Sequence, residues 1–188
     1  KLKLNVAHGE GLFFPDTYRF LRGSSDILVL RQASQLLQRE LDTAWAQRAP
    51  GLPYATPYEA LIMASLIEKE TGQAADRPMI ARVFLNRLAI GMRLQTDPSV
   101  IYGLGEAFDG NLTRVHLQTD TPYNTYTRAG LPPSPIALPG RAALHAALHP
   151  AAGQALYFVA RGDGSSQFSE TLDQHNQAVR RYILGKKD

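Results

Sequence analysis

Residues 56–72 read TPYEALIMASLIEKETG, and the fold of the chain turns on this segment. Its start carries helix signals: Thr56 as N-cap, Pro57 at the first helical position and Glu59 placed to complete a capping box. Gly72 marks the stop, where a left-handed residue ends a helix without a Cβ clash. At an advance of about 100° per residue, Ile62, Met63, Leu66 and Ile67 form an apolar stripe. Glu70 follows Leu66 by four residues and Ile67 by three, so it continues that stripe. Glu68 lies about 200° further round, on the face of Ala64 and Ser65. One acid is expected to face the core and the other water.

A carboxyl ending an apolar stripe is normally avoided, because burying an ionised acid is costly. The C-terminal end of the helix macrodipole also disfavours negative charge. Both effects raise the pKa, as a general acid working near neutral pH requires. The alternative is a frayed last turn that lets Glu70 reach solvent beside Lys69. Pattern alone makes Glu70 a candidate and no more.

Around this helix lies a chain of ordinary globular character. Its 188 residues are 44% hydrophobic and 20% charged, enough for one domain with a real core. There is no cysteine, which excludes a disulfide framework and any thiolate metal site. Net charge is +3, and basic residues are scattered apart from Arg180-Arg181 and Lys186-Lys187, so no nucleic-acid partner is expected. No apolar run approaches the ~20 residues of a membrane span, and no signal peptide opens the chain. The opening Lys1-Leu2-Lys3-Leu4-Asn5-Val6 alternates like a strand without a lead-in, and reads as the edge of an excised soluble portion.

Taken in order, a helix is expected over Ser24–Arg48, capped by Ser25 or Asp26, with Leu30, Ala33, Leu37, Leu41 and Ala44 buried and Trp45 in the core. Another runs from about Arg77 to Ile90 with Ile80, Val83, Phe84 and Leu88 inward, stopped by Gly91 and packed antiparallel to the 56–72 helix. In Gln95-Thr96-Asp97-Pro98, Thr96 or Asp97 can cap a short helix, so Asp97 is either a cap or a ligand contact. Gln95 has no such structural role, and its amide suits sugar hydroxyls or acetamido groups. A short helical turn is expected over Thr113–Gln118. The stretch 121–140 is then a long loop with five prolines, a length usually tied to function. Within it, Tyr123-Asn124-Thr125-Tyr126 alternates aromatic and polar side chains, which fits either a sugar site or an edge strand. Arg141–His149 is a small helix; His145 and His149 stand four apart, but no HExxH motif accompanies them and a plain helix face is the reading. Ala155–Ala160 and Gln167-Phe168 form a hairpin across a glycine-rich turn, and a last helix over Thr171–Leu184 carries His175. The architecture expected is α+β: a helical core with a small antiparallel sheet made by the opening strand and the C-terminal hairpin.

The string ASLIEKETG, followed by Phe84-Leu85-Asn86-Arg87-Leu88, Gly91-Met92-Arg93-Leu94-Gln95-Thr96-Asp97-Pro98 and Tyr123-Asn124-Thr125-Tyr126, resembles the endolytic murein transglycosylase (YceG-like) family. Gly9-Glu10-Gly11, Phe14-Pro15-Asp16-Thr17-Tyr18, Gly130-Leu131-Pro132-Pro133 and Pro135-Ile136 extend the match in order over nearly the whole chain; Leu12-Phe13 is the one departure. The resemblance implies a single catalytic domain over residues 1–188 with a lysozyme-like transglycosylase core. Lys1–Val6 would be the end of a preceding LysM-like module. A single membrane anchor before it would hold the catalytic region outside the bacterial inner membrane, in the periplasm. It further implies cleavage within peptidoglycan glycan strands between N-acetylmuramic acid and N-acetylglucosamine, leaving a 1,6-anhydro end and limiting strand length. Glu70 would be the catalytic acid, with Gln95, Thr96, Asp97, Tyr123, Asn124, Thr125 and Tyr126 against the glycan. No cofactor or metal is implied, and peptidoglycan synthases of the penicillin-binding type are the implied protein partners. Two other readings stay open. A hydrolase would need a second carboxylate, for which Glu10 is the nominee, and a glycan-binding module would need no catalyst.

Overall fold

The structure is a computed structural model and describes residues 9–185. The expected opening strand and the last three residues lie outside that range. The described residues form seven α-helices and one two-stranded antiparallel hairpin, an α+β fold.

At its centre is α2, Pro57–Glu70. Thr56 caps it through its hydroxyl, which accepts from the Glu59 N–H. Glu59 reaches back one residue further than a standard capping box, to the N–H of Ala55 at 2.6 Å. The sequence showed one apolar stripe, but all eight residues from Ala60 to Ile67 are buried. Ala64 and Ser65, read as the wet face, are enclosed by α6 (Arg141–Leu148) and the loop before it. Ser65 accounts for its own polarity: its hydroxyl donates to the Ile62 carbonyl at 2.7 Å and accepts from the Ile136 N–H at 3.0 Å. Contact between α2 and α6 is close because Ala143, Ala146 and Ala147 are small and buried.

Four further helices build outward from α2. α1, Asp26–Ala46, is capped by Ser25 and buries Ala33, Leu37 and Leu41. Leu30, expected inside, is 39% exposed. Ala44 and Trp45 are half-buried against the core, and the Arg48 guanidinium sits over the indole at 4.0 Å. α3, Arg77–Ala89, follows a 3-10 turn at Ala74–Asp76 and packs on both α2 and α6. Gly91, at φ 69, ends it as a left-handed stop. α4, Asp97–Leu104, packs on α2, and α5, Arg114–Gln118, packs on α4. From 121 to 140 the chain has no regular secondary structure. Beyond α6 come β1 (Tyr157–Ala160) and β2 (Ser166–Ser169), with Phe158 opposite Phe168, and then α7 (Leu172–Tyr182) across the hairpin. The rings of His145 and His149 stack at 4.4 Å and His149 bonds the Gln47 carbonyl, so both are structural. No helix among the described residues is long and apolar enough to cross a membrane.

Candidate active site

Glu70 is the last residue of α2. Gly72 is not the left-handed stop the sequence suggested; the helix ends because Thr71 turns extended, at φ −145 and ψ 138. The turn leaves the Glu70 carboxylate at the mouth of the helix, where Thr96 donates its hydroxyl to Oε2 at 2.6 Å. The pKa of Glu70 is raised above its ordinary value of 4.5. Burial is the main cause and the charge of Asp97 adds to it; the Thr96 hydrogen bond and the Arg87 charge act in the opposite sense. Such a carboxyl can hold a proton at higher pH than a solvated acid and release it on demand.

The other side of the site is a strap over residues 93–97, and its hydrogen bonds explain its shape. Thr96 occupies the N-cap of α4, but its side chain makes no capping bond and is committed to Glu70. Its own N–H donates to Thr125 Oγ1 at 3.0 Å, and the Ser99 hydroxyl holds its carbonyl at 2.8 Å. The Gln95 N–H donates to the Thr125 carbonyl at 3.1 Å. Gln95 itself sits at φ 50, the one non-glycine residue with positive φ among those described. That conformation costs on the order of 1 kcal/mol and persists where surrounding bonds over-determine it. Asp97 is the first residue of α4 and not its cap; its carboxylate accepts from the Tyr126 hydroxyl at 2.5 Å.

Glu70, Gln95, Asp97 and Tyr126 line one pocket of about 350 Å³ together with Arg87, Tyr157, Phe158, Leu172 and His175. A larger depression, about 710 Å³, lies between β2 and α7, but its one carboxylate, Glu170, is exposed. Chemistry, not size, distinguishes the Glu70 pocket. Arg87 is buried, donating to the Leu94 carbonyl at 2.7 Å and the Leu156 carbonyl at 2.7 Å. It therefore ties the strap to the segment leading into β1. Among the described residues no three histidine or carboxylate side chains converge as metal ligands would.

Several expected site residues do other work. Asn124 is fully buried. Its NH2 lies 2.7–3.3 Å from the carbonyls of Thr119, Leu117 and His116, and its Oδ1 accepts from the N–H groups of Tyr126 and Thr127. It shapes the loop and presents nothing to the pocket. Thr125 is buried and supports the strap. Tyr123 bonds Ser134 and packs edge-on against Tyr102 at 4.7 Å, outside the pocket lining. Glu10 also lies outside it, accepting from the Tyr102 hydroxyl at 3.1 Å. The second carboxylate in the pocket is thus Asp97 and not Glu10. Glu68 does not face open water: it accepts the Gly140 N–H at 2.9 Å and approaches Arg77 at 3.5 Å, fastening the start of α6.

The pocket residues Arg87, Tyr157, Phe158, Leu172 and His175 were not foreseen. Arg87 could have been, because it lies four residues after Val83 and three after Phe84, on the apolar face of α3, as Glu70 does on α2. The others come together only through the hairpin fold.

The model of the YceG-like family matches residues 1–181. The chain is 39% identical over 98% of its length to the endolytic murein transglycosylase of Bacillus subtilis, covering 51% of that protein. It is 28% identical over 94% of its length to the protein of that name from Streptococcus pneumoniae, covering 33% of it. It also resembles the 2.6 Å crystal structure of a yceG-like protein from Listeria monocytogenes, with TM-score 0.76 and 39% identity over 92% of this chain and 56% of that one. The chain spans about half or less of the curated relatives it matches. With the family model matching from residue 1 to residue 181, the chain belongs to the YceG-like family.

Proposed function

We propose that this chain cleaves peptidoglycan glycan strands as a lytic transglycosylase, with Glu70 as its acid and base. The observation that carries the reading is the Glu70 carboxyl: half-buried at the end of an apolar helix, held by Thr96, its pKa raised, and lining a pocket of about 350 Å³ with aromatic and polar side chains. The names of the relatives, endolytic murein transglycosylase, supply the substrate class.

In this mechanism protonated Glu70 gives its proton to the glycosidic oxygen between N-acetylmuramic acid and N-acetylglucosamine. The C1–O bond breaks, and the developing charge on the anomeric carbon is met by the 6-hydroxyl of the same muramoyl residue. That hydroxyl loses its proton to the Glu70 carboxylate as the new C1–O6 bond forms. The ring closes to a 1,6-anhydro end and Glu70 regains its starting state. No second carboxylate is needed because the nucleophile belongs to the substrate. Cutting within strands would limit their length. Tethering to the inner membrane, a periplasmic site of action and partnership with synthases rest on the resemblance alone.

A hydrolase is the second reading, and one observation favours it: Asp97 lines the same pocket as Glu70 and could activate a water. Glu70→Gln and Asp97→Asn, assayed on purified strands, test the two. Glu70→Gln should bind strands without cutting them. Asp97→Asn should keep cutting at a reduced rate with anhydro ends under the first reading, and should stop hydrolysis under the second.

A further inference from the structure

Tyr157, Phe158, Leu172 and His175 line the pocket but take no part in the proton transfers above. Phe158 is anchored edge-on against the core residue Phe84, at 6.1 Å and 73°. The rings of Tyr157 and His175 stack, 5.2 Å apart with planes at 24°. The Arg87 guanidinium, already fixed on two backbone carbonyls, lies 5.4 Å from the Tyr157 ring centre and holds it from another side. Three rings, Tyr157, Phe158 and His175, dominate this part of the pocket. His175 is its unusual member. Its Nδ1 is buried and has no hydrogen-bond partner, which costs about 1–3 kcal/mol and would be avoided by any apolar ring of the same size. Burial, with the Arg87 charge adding to it, lowers the His175 pKa, so the ring is neutral at neutral pH. A neutral imidazole offers an apolar face together with one donor and one acceptor.

The geometry points to the stacked Tyr157–His175 pair as a sugar-binding wall that receives the apolar face of a pyranose next to the scissile bond, with a His175 ring nitrogen pairing with one of its hydroxyl or acetamido groups. The inference rests on the reading of the pocket as a glycan cleft, and it assigns substrate contact to the C-terminal hairpin and α7. A pyranose matches this wall because its C–H face is apolar while its rim carries hydroxyls. Because Nδ1 is itself buried, the ring must turn for that nitrogen to reach the rim.

The test uses peptide-free glycan strands, with binding measured by calorimetry in the Glu70→Gln background and cleavage measured with Glu70 present. His175→Ala should weaken binding about 10-fold and raise KM by a similar factor, with kcat changed less than about 3-fold. His175→Asn, which keeps a polar group near the ring nitrogen, should recover part of the loss. Tyr157→Leu should behave like His175→Ala. The melting temperature of His175→Ala should stay at or above the parent value, because an unpaired buried group is removed. Unchanged binding and KM in His175→Ala and Tyr157→Leu, or a lower melting temperature with unchanged kinetics, overturns the assignment. If the parent neither cuts nor binds strands, the glycan reading falls and this inference with it; if the parent does both and His175→Ala matches it, this inference alone falls.

Discussion

Two glutamates two positions apart on one helix have different fates, and the difference is local chemistry. Glu68 commits its carboxylate to the Gly140 N–H and to Arg77, whereas Glu70 receives one hydroxyl and is half-buried, with burial raising its pKa. Glu70→Gln is expected to lower kcat by about 10²–10⁴-fold, as loss of a positioned acid does. The same variant should be as stable as the parent, or more so, at neutral pH. The sign follows from linkage: with a raised native pKa the folded state binds the proton more tightly, so stability falls as pH rises from 4.5 through the native value of Glu70. The stability gap between variant and parent should therefore close in acid, which thermal melts across pH would record. In parent kinetics the same group should produce a fall in kcat on the alkaline side, as the proton donor is lost. Glu68→Gln keeps an acceptor for Gly140 and loses only a long, partly exposed ion pair. It should cost under about 1 kcal/mol and leave most activity; a dead Glu68→Gln enzyme beside an active Glu70→Gln would reverse the two roles.

At the level of elements, the site is a helix end pressed against a strap. Thr96→Val keeps the shape and removes the hydroxyl that favours the Glu70 carboxylate. The Glu70 pKa should rise further, and the alkaline limb of the pH–rate profile should move to higher pH. Asn124→Ala, by contrast, should act through folding, with a loss of about 2–3 kcal/mol from stranded backbone groups and near-normal KM in the folded fraction. The sequence made the helices legible because their caps and apolar spacings are local signals, from Ser25 and Thr56 to Gly91. With the family resemblance it also offered 95–97 and 123–126 as candidate glycan contacts, but not how the work divides within them. Alternation in Tyr123-Asn124-Thr125-Tyr126 says which residues are polar; only the fold determines that Asn124 turns inward to its own loop while Tyr126 turns to Asp97. The stop at Gly72 was misread because Thr71, not a left-handed glycine, breaks the helix.

Across the whole molecule, the pocket draws on α2, α3, the strap, the proline-rich loop, β1 and α7. Arg87 is the piece that joins them, reaching Leu94 on one side and Leu156 on the other. Arg87→Met should destabilise by about 2–4 kcal/mol through two abandoned carbonyls, and should also raise the Glu70 pKa by removing a nearby positive charge. Chemical denaturation and a pH–rate profile would read the two effects separately. The hairpin wall escaped the sequence reading because β1 and α7 lie about a hundred residues from Glu70, and nothing in their own composition points to it.

The most direct test of the central claim is mass spectrometry of the ends made when this protein cuts purified, peptide-free glycan strands. The new ends should be one water lighter than hydrolysis products and lack a reducing terminus, with internal fragments appearing early and cutting lost in Glu70→Gln. Reducing ends carrying the full mass of water would contradict it, and would make Asp97 the partner that activates that water.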